Sequence, residues 1–195
     1  MDERVAAYFD ARADEWAKME RCTRSALQPA VTALAGIHQG STVCDLGCGL
    51  GVMLPVYHDL GVRYVLGVDI SPRMVELARQ RNAGYPEASF VATDACDLVT
   101  DDRFDAVVVY NAYPHFLDHP ALVKKVHELL VPEGRFVVAH STGRDTINRH
   151  HEAVARGVSS GLGPAEDEAE VWRGLFDVDT VVDTPGFYAF AGIAR

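Results

Sequence analysis

Apolar residues recur along this chain first at helical spacing and then in short runs that alternate with helical stretches. Val5, Tyr8, Phe9, Trp16 and Met19 fall on one helical stripe, and Leu27, Val31 and Leu34 on a second, which predicts two N-terminal helices. Residues 41–46 form a short buried strand that ends in glycines, and a helix follows from about Gly51 with Pro55 in its first turn. Residues 63–69 are the next strand. Ser71-Pro72 then supplies an N-cap with proline at the first helical position, opening a helix through about Asn82. Strands near 88–93 and over 104–110 continue the rhythm. Leu122, Val126, Leu129 and Leu130 mark a helix closed by Pro132-Glu133-Gly134, and residues 135–140 make a fifth strand.

Strands alternating with helices imply right-handed crossovers and a mostly parallel sheet covered on both faces, a doubly wound α/β domain. The tail departs from this rhythm. Residues 143–157 read as a helix, 159–170 as a Gly/Ser/acidic loop, and 172–182 and 186–193 as two strands joined by Thr184-Pro185-Gly186. That hairpin brings the sheet to seven strands and adds one antiparallel strand.

Composition narrows the possibilities. Eighteen basic against 28 acidic residues leave a formal charge of −10 on 195 residues, of which 48% are hydrophobic and 24% charged. The length suits one domain. Nucleic-acid binding through phosphates needs clustered Lys and Arg, so an acidic chain points to small or neutral partners. No run approaches the roughly 18 apolar residues of a membrane span. The start lacks a basic region followed by an apolar core, so the expected compartment is the cytoplasm, as a monomer or homodimer. Cys22, Cys44, Cys48 and Cys96 lack CxxC spacing and read as reduced, packed thiols.

Asp45-Leu46-Gly47-Cys48-Gly49-Leu50-Gly51 follows the first strand directly. Alternate glycines permit a tight turn and let a ligand approach the backbone closely. A dinucleotide fingerprint reads GxGxxG and needs a glycine at position 52, which here is Val52. The spacing is GxGxG, with an acid in front. A carboxylate beside the turn repels a pyrophosphate and suits a ligand carrying an ammonium or sulfonium charge. Asp69, closing the second strand, can accept two hydrogen bonds from a ribose diol, and Asp94, after the third, can accept from an exocyclic amine. In an open parallel sheet the ligand crevice lies beyond the carboxyl ends of the strands, so these acids are expected around one ligand.

With these segments the sequence resembles the class I S-adenosylmethionine-dependent methyltransferases, particularly small-molecule enzymes like those of quinone biosynthesis. The resemblance rests on the glycine segment, on Gly67-Val68-Asp69-Ile70-Ser71-Pro72-Arg73-Met74, on Thr93-Asp94-Ala95, on Phe104-Asp105-Ala106-Val107-Val108 and on Leu130-Val131-Pro132-Glu133-Gly134-Arg135. It implies a Rossmann-like methyltransferase fold over 1–195, with a helical lid at 1–38 and a cofactor-binding core at 41–140. A substrate-side helix and acidic loop at 141–170 and a C-terminal hairpin at 171–195 complete it. It also implies that Gly47, Cys48, Gly49 and Gly51 pack against the methionine part of S-adenosylmethionine with Asp45 nearby. Asp69 would bind the ribose, Ile70 and Met74 flank the adenine, Asp94 and the Ala95 backbone meet its amine, and Asn111 lie near the sulfonium. Tyr8 and Trp16 would close over the cofactor as a lid, although their apolar stripe equally fits core packing.

Acceptor chemistry is expected after the fourth and fifth strands. His115 and His140 are the candidates for proton handling, and His115 could equally cap or pack in its loop. Tyr113, Arg144, Asn148 and His151 are candidate substrate contacts. Positions 144, 148 and 151 share a helix face, beside Arg149 and His150, and form a local basic patch suited to an anionic acceptor, or else a solvated polar face. His140, His150 and His151 could also ligate a metal, but the paired histidines lack a Cys or carboxylate at ligand spacing, so no metal site is expected. Asn111-Ala112-Tyr113-Pro114 departs from the Asn-Pro-Pro-aromatic motif of amino-nitrogen methylases. Two other functions fit a nucleotide-binding chain: an NAD(P)-type oxidoreductase, against which Val52 and Asp45 count, and a non-catalytic S-adenosylmethionine-binding regulatory protein.

Overall fold

The computed structural model describes residues 3–19, 25–154 and 157–195; Cys22 lies outside them. Two helices come first, α1 (Glu3–Met19) and α2 (Gln28–Leu34). The core then runs β1 (Thr42–Leu46), α3 (Leu54–Asp59), β2 (Tyr64–Asp69), α4 (Pro72–Arg81), β3 (Ala88–Ala92), β4 (Phe104–Tyr110), α5 (His119–Leu129) and β5 (Leu130–His140). After it come α6 (Arg144–Val154), α7 (Ala165–Glu170), β6 (Phe176–Thr184) and β7 (Phe187–Ala194), and short 3-10 turns occupy Ala95–Asp97 and Tyr113–His115.

The seven strands form one sheet in the order β3-β2-β1-β4-β5-β7-β6. The first five are parallel, and β7 runs antiparallel to both β5 and β6. Both faces are covered, and strand alternation divides the core in two. Cys44, Leu46, Val107, Val109, Phe136 and Val138 point to the side of α5 and Trp172. Val43, Val65, Val108, Val137 and Ala189 point to the side of α2 and α3, against Val31, Leu54 and Tyr57.

At α4 the sequence expectation holds at atomic detail: Ser71 Oγ accepts from Met74 N–H at 3.0 Å with Pro72 at the start of the helix. That helix start also anchors α1. Asp10 accepts from the Arg73 N–H at 3.0 Å and from the Ser71 hydroxyl, and Asp14 is bridged by the Arg73 guanidinium through Nε and Nη2. Carboxylates gathered at a helix N-terminus are favoured by its unpaired N–H groups and dipole.

Three expectations are corrected. Pro132-Glu133-Gly134 does not close α5 but lies inside β5, looped out between the pairings Phe104 with Leu130 and Ala106 with Arg135; Glu133 takes φ 61 there. The acidic segment 159–170 contains α7, whose Glu166, Asp167 and Glu168 sit in its first turn and whose Ala165 and Ala169 are buried. Trp172 precedes β6 rather than beginning it. Its indole is fully buried and stacked on Phe136 with ring centroids 4.2 Å apart.

Candidate functional site

A cavity of about 770 Å³ opens at the carboxyl ends of β1, β2, β3 and β4. Its floor is the glycine turn. The N–H groups of Gly47 and Cys48 both donate to Val68 O, at 2.8 and 3.0 Å, tying the turn to β2. Gly47 takes φ 71, and a Cβ there would stand 2.5 Å from Ala112 Cβ, so this position demands glycine. A Cβ at Gly51, with φ 74, would stand 2.7 Å from Asn82 Nδ2, the amide that donates to Leu50 O and Ala78 O.

Asp69 joins that floor to α4. Its Oδ2 accepts the Gly49 N–H at 2.8 Å and its Oδ1 the Ser71 N–H at 2.9 Å. Two of roughly four lone-pair sites are thereby used, and the carboxyl group still borders the cavity. Burial raises its pKa, helped by the Asp10 charge, against the opposing pull of the Ser71, Gly49 and Ile70 backbone N–H groups. Asp94 follows β3 and caps the turn over Ala95–Asp97 by accepting the Cys96 N–H at 3.0 Å. Gly47, Cys48, Gly49, Ile70, Met74, Ala95 and Trp16 line the same space. Burial pushes the Cys48 thiol pKa well above the ordinary value, which disfavours its thiolate.

Asn111 also lines the cavity, in the left-handed region at φ 56 that asparagine tolerates better than most residues. Its N–H donates to Ala139 O at 2.8 Å and its Oδ1 accepts the Ser141 N–H at 2.8 Å, so it ties the ends of β4 and β5 together. Beyond it His115 enters the wall. Its Nδ1 lies 2.8 Å from Val158 O, and Phe9 meets the ring edge-on at 4.8 Å between centroids.

Other residues singled out from the sequence lie elsewhere. Asp45 is sealed beneath the turn, 2% exposed, where the Tyr57 hydroxyl donates to its Oδ2 at 3.3 Å and burial pushes its carboxyl up to about 7. Gly51 is likewise a floor support outside the lining, and Tyr8 packs under the Arg12 guanidinium while Phe9, its neighbour on the stripe, faces the cavity. Tyr113 is fully buried: its hydroxyl lies 3.2 Å from a Glu168 oxygen and 3.4 Å from Trp172 Nε1, and its ring stacks on His119. His140 is buried behind the wall with no partner for Nε2 among the described residues, and burial, with His115 and His151 nearby, pushes its pKa down to about 3.

The expected basic patch dissolves. Arg144 is paired with Asp183 at 3.6 Å, and the Asn148 amide is spent on Leu162, donating to its carbonyl at 2.9 Å and accepting its N–H at 2.8 Å. His151 lies 2.7 Å from the Ser159 hydroxyl, and burial lowers its pKa to about 4, leaving it neutral. None of these three lines the cavity. Phe116, Leu117, Asp97 and Asp118 do, and the sequence offered no signal for them beyond their place after strand ends. Among the described residues no group of three or more His, Cys, Asp or Glu stands ready to hold a metal ion, and no helix is long and apolar enough to cross a membrane.

Comparison with known proteins adds to this geometry. Residues 44–138 match a family model described as a methyltransferase domain. Over 108 residues, 54% of this chain, the sequence is 35% identical to 2-methyl-6-phytyl-1,4-hydroquinone methyltransferase of Synechocystis sp., of whose length it spans 34%. A chain from the Haloferax volcanii complex of the Trm112 methyltransferase activator with a methyltransferase superposes with a TM-score of 0.81 at 25% identity, covering 98% of this chain and 97% of that one. The N-methyltransferase NodS of Bradyrhizobium japonicum, in complex with S-adenosyl-L-homocysteine, shares the fold with a TM-score of 0.77 at 17% identity, covering 99% of this chain and all of NodS.

Proposed function

We propose that the chain, whose residues 44–138 match a methyltransferase domain, is a class I S-adenosylmethionine-dependent methyltransferase and transfers the methyl group of S-adenosylmethionine to a small-molecule acceptor. The observation that carries this reading is the Asp69 carboxylate, set at the end of β2 on the cavity and bonded to the glycine turn. The residues fit the nucleoside. Asp69 retains acceptor sites for a ribose diol, Asp94 lies one strand over for the adenine amine, and Ile70 and Met74 offer apolar surface for the purine. Cys48 and Gly49 leave room above the turn for the methionine part.

When bound, S-adenosylmethionine supplies a methyl group on a cationic sulfur. The chain's own contribution is to hold the two reactants in line and exclude water, which can supply roughly 7–11 kcal/mol of the barrier. Phe9 and Trp16 on α1 lie over the cavity, so α1 is the element that closes it. His115 is the proton acceptor on its wall; His140, without access to the cavity, supports that wall. The protein acts in the cytoplasm as a monomer or homodimer, without nucleic acid.

Calorimetry tests the reading. S-adenosylhomocysteine should bind the wild type and NAD should not, which also separates this reading from an oxidoreductase. Asp69→Ala should weaken binding by about 1.5–3 kcal/mol for each charge-assisted hydrogen bond lost. Unchanged affinity in that variant would remove Asp69 from the site. Binding without methyl transfer to any acceptor in a broad panel would favour a regulatory role.

A further inference from the structure

His115 is the cavity residue whose hydrogen-bonding direction is fixed by its surroundings. A carbonyl oxygen only accepts, so the 2.8 Å contact between His115 Nδ1 and Val158 O places the ring proton on Nδ1. Nε2 is then the ring's lone-pair acceptor. Burial lowers the ring's pKa, so near neutral pH the ring is uncharged and Nε2 stays unprotonated.

The carbonyl that sets this tautomer is itself held. The Ser160 N–H donates to Pro114 O at 2.8 Å, directly before His115, and Asn148 brackets Leu162 from α6. The segment 158–162 is thus strapped to Pro114 and to α6, and a simple rotation of the imidazole would cost the Val158 bond. The ring touches Phe9 edge-on and the ring of His151, each at 4.8 Å between centroids, and Phe9, Phe116, Leu117 and Val5 are the apolar members of the same cavity lining.

An acceptor-only nitrogen in such a wall discriminates between nucleophiles. A carboxylate offers only lone pairs, so it meets Nε2 lone pair to lone pair. A hydroxyl or an uncharged amine offers the hydrogen that Nε2 lacks. We infer that the methyl acceptor is an uncharged, largely apolar molecule presenting an O–H or N–H to His115 Nε2, and that carboxylates are not methylated in this site. This rests on the methyl-transfer reading above. In the reaction the acceptor's oxygen or nitrogen forms a bond to the methyl carbon while the carbon–sulfur bond breaks and its electron pair stays on sulfur. The acceptor's proton passes to Nε2 and from there to solvent, leaving neutral S-adenosylhomocysteine sulfur and a neutral methylated product.

The test uses the full chain saturated with S-adenosylhomocysteine and three probes of one shape: naphthol, aminonaphthalene and naphthoate, followed by ligand-observed NMR titration. Naphthol or aminonaphthalene should bind at least tenfold more tightly than naphthoate, and His115→Phe, which keeps a flat ring, should erase the difference. Naphthoate binding as well as the others overturns the inference, as does a preference that survives in His115→Phe or binding by none of the three. Nitrogen-15 shifts of the wild-type ring provide a check that needs no variant: a proton on Nδ1 is expected, and a proton on Nε2 overturns the inference. Failure to bind S-adenosylhomocysteine at all overturns the reading beneath it, whatever the probes do.

Discussion

Asp45 and Asp69 stand at the ends of neighbouring strands, one residue type with two fates. In β1 the alternation that sends Cys44 and Leu46 to the α5 side sends Asp45 to the α3 side, under the turn and against Tyr57. Asp69 is the last residue of β2 and meets the backbone N–H groups of Gly49 and Ser71 instead. The acid before the glycines was therefore legible as a feature, but its direction was decided by strand parity and by a tyrosine twelve residues on. A pH effect follows. Because folding raises the Asp45 pKa from 3.8 to about 7, the folded chain holds that proton over a wider range than the unfolded one. The stability it contributes is present below about pH 4 and is lost as pH rises toward 7. Asp45→Asn mimics the protonated form, so the variant should gain stability relative to the wild type across that window, by up to about 1.4 kcal/mol per pH unit. Urea midpoints at pH 4, 5, 6 and 7 measure it, and a constant difference would argue against the assignment.

Among the elements, α6 shows what periodicity reaches and where it ends. Its existence and its polar face were readable from spacing, whereas the partners of that face were not. Asn148 turned from a candidate substrate contact into a clamp because the segment 158–162 folds back across the helix, a tertiary event with no local signature. Asn148→Ala removes both bonds to Leu162 and should cost about 1 kcal/mol for each. Amide exchange over 158–162 should quicken more than in the central strands, and unchanged protection would mean the segment is held by other contacts. Helix α7 escaped detection for a related reason: it is six residues long and buries only two alanines, too little contrast for an apolar pattern.

Across the molecule, the α5 side of the sheet is bound to the C-terminal hairpin through Trp172. Its indole touches Phe136 on β5, Phe176 on β6 and Phe190 on β7. Trp172→Ala should therefore destabilise the whole chain, by about 3–5 kcal/mol, seen as a lower melting temperature in a single transition. Local loss of the hairpin alone would show two transitions instead, and would mean that the antiparallel addition folds apart from the parallel core.

The order of strands and helices, the GxGxG turn and the acids after β2 and β3 were set by the residues themselves, because hydrophobic period and glycine geometry act over a few positions. They sufficed to indicate a doubly wound sheet with its cavity at the carboxyl ends. Which side chains reach that cavity was a tertiary decision. His115 enters the wall because Val158, 43 residues later, supplies a carbonyl, while Tyr113, two residues before it, is drawn into the core by Glu168 and Trp172. Arg144 meets Asp183 across the sheet's far end. Such pairings join segments far apart in sequence, and buried hydrogen bonds and desolvation, rather than spacing, determine which way each side chain turns.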